Sequence, residues 1–138
     1  MDASELEKLA LAWMAHARAF RMDRSNRENI WAAEQIWELE NEAPEDLWKV
    51  ILVIHRLNSS QEAVIVQNLS AGPLEMLLTK HGSRFIERVE EQARKDPTFA
   101  TLLGGVWQNK MPEEIWSRVK ALGDVSQWGK IDEGKRPG

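Results

Sequence analysis

The chain has 138 residues and contains neither cysteine nor tyrosine. Without cysteine there are no disulfides and no thiolate metal sites, a composition that fits a cytoplasmic setting. No apolar run approaches the roughly 20 residues needed to cross a bilayer. The opening Met1-Asp2-Ala3-Ser4-Glu5 is acidic and leads into an amphipathic pattern, so it does not read as a signal peptide. Basic charge is scarce as well. The formal net charge is −4, and residues 27–48 carry seven acids against Arg27 alone. Phosphate binding needs a basic face, so nucleic acid is not the expected partner. The expectation is instead another protein with a basic surface.

Sequence motifs for chemistry are missing too. The three histidines, His16, His55 and His81, form no H-E-x-x-H or similar metal spacing. Gly104-Gly105 lacks both the G-x-G-x-x-G pattern and the lysine of a phosphate loop. No serine or threonine stands in a nucleophile-elbow context. These absences point away from an enzyme and imply no cofactor and no metal.

What the chain does have is helix punctuation. Pro44-Glu45-Asp46-Leu47-Trp48 returns as Pro112-Glu113-Glu114-Ile115-Trp116. Proline suits the first helical position, where an N–H has no intrahelical partner. The acids that follow face the positive end of the helix dipole. The spacing predicts helices over 4–22, with Ser4 as N-cap and Glu7 completing a capping box, and over 27–42, 44–57 and 60–70. Gly72-Pro73 is expected to open a helix through Lys80, closed by His81-Gly82, with Ser83 capping the next. Asp96-Pro97 and Pro112 open the last two. The fold expected is all-α: a single domain of seven or eight short helices over residues 1–122, as an irregular bundle or HEAT-like stack. Residues 123–138 form a polar C-terminal tail, expected to be partly disordered, with Trp128 packing back onto the body.

The stretch Ala71-Gly72-Pro73-Leu74-Glu75-Met76-Leu77-Leu78, followed by His81-Gly82, Ile86-Glu87, Val89-Glu90, Ala93, Asp96-Pro97 and Leu103-Gly104-Gly105-Val106-Trp107, resembles a family of uncharacterised bacterial proteins, domain of unknown function 6869. The resemblance extends through Pro112–Trp116 and, more weakly, to the Trp48 helix. It implies a small helical protein and brings no activity with it. Met76 stands where that family usually has an acid.

Two sets of residues are candidates for function. In the 27–42 helix, Ala32, Ala33, Ile36, Trp37 and Leu39 make the expected buried stripe. Trp31 points away from it, toward Glu34, Glu38 and Glu42. An exposed aromatic ringed by charge has the character of an interface hot spot. Trp31, Glu34, Glu38 and Glu42 are therefore the partner-binding candidates for a protein-interaction module, of an inhibitory or immunity-like kind. The alternative is a small-molecule-binding or hydrolytic domain with a carboxylate and histidine pocket from Glu75, His81 and Glu90. A subunit of a homo-oligomer is a third reading.

Overall fold

A computed structural model describes residues 1–122 of the chain. The tail over 123–138, and Trp128 with it, lie outside the described residues. Among the described residues there are seven α-helices, one π-helical turn and no strand. The protein is all-α, and among the described residues no helix is long and apolar enough to cross a membrane. Two compact units divide the chain, Met1–Leu69 and the part from Ser70 onward.

The first unit holds α1 (Ala3–Met22), α2 (Ile30–Glu42), α3 (Pro44–Leu57) and α4 (Ala63–Leu69). α1 packs against each of the other three. Its buried stripe, Leu6, Leu9, Ala10, Trp13, Met14 and Ala17, follows the helical period. Each large aliphatic side chain fully removed from water there contributes about 1.5–3 kcal/mol. The cap of α1 is Asp2 rather than Ser4. The Asp2 carboxylate accepts from the Glu5 N–H at 2.8 Å, and the Glu5 carboxylate accepts from the Asp2 N–H at 2.9 Å. The capping box is present but begins two residues earlier than expected, since aspartate caps as well as serine.

α2 starts at Ile30 rather than residue 27, because Asn29 stands in the left-handed region at φ 63° and ends helical propagation toward the N-terminus. α3 opens at Pro44 and buries Leu47, Trp48, Val50, Ile51 and Ile54. Past its end, Asn58 is a buried staple. Its side chain accepts from the Glu62 N–H at 3.1 Å and donates to the Glu62 carbonyl at 3.3 Å. The Glu62 carboxylate takes the Arg18 Nε–H of α1, which ties the α3–α4 loop to the first helix.

In the second unit a π-helical turn, Ser70–Leu74, precedes α5 (Glu75–Lys95), α6 (Pro97–Leu103) and α7 (Glu113–Leu122). Pro73 lies inside the π turn and does not open a helix. In an α-helix a proline ring collides with the carbonyl four residues earlier, and the wider π winding accommodates it. The two helices expected over 72–80 and from Ser83 are joined in α5 across a kink at His81, whose φ −129° and ψ 25° are non-helical, so the break expected at His81-Gly82 is present. Gly82 lies just past it. A Cβ added there would stand 2.9 Å from Cγ2 of Ile115, so glycine is what lets α7 approach α5 closely.

Asp96 caps α6, accepting from the Thr98 and Phe99 N–H groups, and Pro97 follows at the first helical position. The Pro112 carbonyl accepts from Ile115 and Trp116 at the start of α7. The two similar pentapeptides thus both begin helices and bury their tryptophans, Trp48 and Trp116.

Candidate functional site

α2 places its residues by the helical period alone. At 100° per residue Leu39, Ala32, Ile36 and Glu40 fall on one side, and these four are buried, Glu40 with 4% exposure. Trp37 falls outside that arc and is 66% exposed. The expectation that Trp37 belonged to the buried stripe is corrected: Glu40, a carboxylate, occupies the position that hydrophobicity would have assigned to an indole. Trp31 is 41% exposed. Glu34, Glu38, Asn41 and Glu42 are exposed as well.

Glu34 is three residues from each tryptophan, Trp31-Ala-Ala-Glu34-Gln-Ile-Trp37. It is a helix-surface neighbour of both. The two indoles are separated by about 9 Å along the axis and about 120° around it, with Glu34 about 60° from either. The structure therefore brings Trp31, Glu34 and Glu38 to one exposed face, adds Trp37 to it, and sets Glu42 at its C-terminal end. Among the described residues, Glu34, Glu38 and Glu42 make no hydrogen bond or ion pair.

The charges on this helix oppose its own stability. α1, α3, α5 and α7 each carry acid in the first turn and base in the last, as the helix dipole favours. α2 has no acid in its first turn and no base in its last. Glu34, Glu38 and Glu42 form two like-charged i, i+4 pairs, each unfavourable by about 0.2–0.5 kcal/mol. Glu42 also sits at the negative end of the dipole.

Glu75, His81 and Glu90 are arranged differently. All three are on α5. Glu75 and Glu90 lie on either side of the His81 kink and are engaged by different partners. Glu75 is in the first turn, and its carboxylate accepts from the Trp107 N–H at 2.9 Å and from Asn109 Nδ2 at 2.6 Å. It holds the loop between α6 and α7, in which Asn109 has a positive φ of 44°. The Glu90 carboxylate takes Arg118 Nε and Nη2 at 2.9 and 2.6 Å, a two-point ion pair between α5 and α7. Those hydrogen bonds hold the Glu90 carboxyl below its usual range. His81 marks the α5 kink. No cluster of three or more metal-ligating side chains occurs among the described residues.

Of the other histidines, His16 is half-buried. Its Nδ1 is 3.3 Å from the Glu28 carbonyl, and its ring centroid is 5.6 Å from that of Phe20. His55 is half-buried on α3.

No curated protein and no solved structure shows significant similarity to the chain. A family profile does match, over residues 20–126, from the end of α1 across all of α2–α7. On that match the chain belongs to a family of unknown function, DUF6869.

Proposed function

We propose that the protein is a non-enzymatic interaction module that uses the exposed face of α2 to bind a protein with a basic surface. The observation that carries this reading is the charge inversion of α2. Four of the five long helices arrange their charges to suit themselves, and the fifth gathers unengaged carboxylates around two exposed indoles. A surface that is unfavourable for the isolated protein becomes favourable when a complementary one covers it. Aromatic anchors beside charge are the usual composition of binding hot spots. An inhibitory or immunity-like role follows the same logic, since an acidic face of this kind is suited to cover a basic working surface. The carboxylates of α5 favour no pocket, because Glu75 and Glu90 are engaged in holding the second unit together.

The test is affinity capture with the wild-type protein beside Trp31→Ala, Trp37→Ala and Glu38→Lys variants whose helicity is confirmed by circular dichroism. The expected result is a basic partner that the wild type retains at low salt, releases as salt rises, and that the variants fail to hold. Partners retained equally by wild type and all three variants would remove α2 from the interface.

A further inference from the structure

We infer that the α2 face takes an arginine side chain of the partner, whose guanidinium pairs with Glu34 while lying against the indoles of Trp31 and Trp37. This inference rests on the interaction reading above and adds the chemistry of the contact. Three features of the face select that group.

The first is charge. Residues 27–48 carry a net −6, and Glu34, Glu38 and Glu42 are free of ion pairs among the described residues. The occupant must be cationic. The second is the spacing. A compact metal ion needs several ligands converging on one point, and no such cluster exists among the described residues. An i, i+4 row of carboxylates is spread along the helix, and suits a cation that is itself extended. The third is the pair of indoles. An ammonium is a compact, strongly hydrated charge, whereas a guanidinium is planar, weakly hydrated and stacks on aromatic faces. Tryptophan gives the strongest cation–π attraction of the aromatic side chains. With Glu34 three residues from each tryptophan, a guanidinium that accepts the two-point geometry of the carboxylate has an indole on either flank. The second unit uses the same two contacts internally: Arg118 grips Glu90 at two points, and the Arg88 guanidinium carbon lies 4.9 Å from the centroid of the Phe85 ring.

The experiment uses the full chain labelled with nitrogen-15, in which each of the seven tryptophans gives one indole N–H signal. Trp31→Phe and Trp37→Phe assign the two of interest. The probes are blocked glycine–serine peptides carrying arginine, and the same peptides with lysine or with uncharged citrulline in its place. The arginine peptide is expected to shift the Trp31 and Trp37 signals, with the lysine peptide weaker by about fivefold and the citrulline peptide without effect. Glu34→Gln, which keeps shape and removes charge, is expected to weaken the arginine peptide by about tenfold. Equal binding of arginine and lysine peptides, or shifts that spare Trp31 and Trp37, would overturn the inference. So would signals that move with protein concentration alone, which would make a second copy of the chain the occupant. The two readings fail separately. A captured partner that depends on Trp31 and Trp37, with no arginine preference among the peptides, removes only the arginine assignment. Loss of both results removes the interaction reading as well.

Discussion

In α5 every carboxylate discussed above is placed to hold the protein together. Glu75 is in the first turn, where the dipole favours it, and also fastens the Trp107–Asn109 loop; Glu90 joins α5 to α7 through Arg118. In α2, Glu34, Glu38 and Glu42 do the reverse. They repel one another along the helix, Glu42 sits at its negative end and, among the described residues, the three touch no cation. Both helices are amphipathic and both are acidic in part, so composition alone does not separate them. What separates them is whether each charge meets a partner inside the protein. A helix whose charges are satisfied internally serves the fold. A helix that tolerates unfavourable charge, and shows two indoles beside it, is the one on which the proposed interface rests.

The comparison can be broken or sharpened by stability measurements. The largest effect should come from the second unit. Gly82→Leu forces a side chain into the space of Ile115 and should lower the unfolding free energy by up to about 3 kcal/mol, read by urea denaturation. A neutral result would mean that α5 and α7 do not depend on close approach at Gly82. Next comes Glu75→Ala, which removes the acceptor of a backbone N–H and of Asn109 and should cost about 1.5 kcal/mol. Glu75→Gln should fall between, since one carbonyl oxygen still receives the Trp107 N–H.

Smaller still is Glu90→Gln. The pair is partly exposed through Arg118, so the expected cost at neutral pH is under about 1 kcal/mol. The Glu90 carboxyl titrates below its ordinary value when folded, so the ion pair stabilises the protein fully above the unfolded pKa of about 4.3. That contribution fades as the pH falls through the lower folded value. Wild type and Glu90→Gln should therefore converge in stability in acid, and a difference that persists there would contradict the assignment. The smallest effect has the opposite sign. Glu42→Lys replaces an acid with a base at the negative end of α2 and relieves one i, i+4 repulsion, so it should raise stability by about 0.5 kcal/mol. A loss of stability on this change would end the contrast between α2 and the other helices.

Much of the fold was legible because its signals are local. Pro44, Pro97 and Pro112 mark helix starts, Asp96 caps α6, and α6 ends at Leu103 before Gly104. Trp31 was legible as an exposed residue from its angle on the helix alone. The break at His81-Gly82 was legible too, since His81 takes non-helical φ and ψ inside α5. The departures have physical reasons. Pro73 carries the same start signal as the others, but a π turn admits a proline within a helix. Trp37 reads as core because it is large and apolar and follows Ile36. Its angle places it outside, with Glu40 buried instead.

The amino-acid sequence by itself determined the helical class and most helix boundaries, since caps, prolines and a 3.6-residue period act within a few residues of chain. It also determined the concentration of acid in α2. Only the tertiary structure decided which carboxylates are committed. The partners of Glu75 and Glu90 lie 28–34 residues away, and no local rule connects them. Glu34, Glu38 and Glu42 of α2 were left as they are because packing turned that face outward, with Trp31 and Trp37 on either side of Glu34.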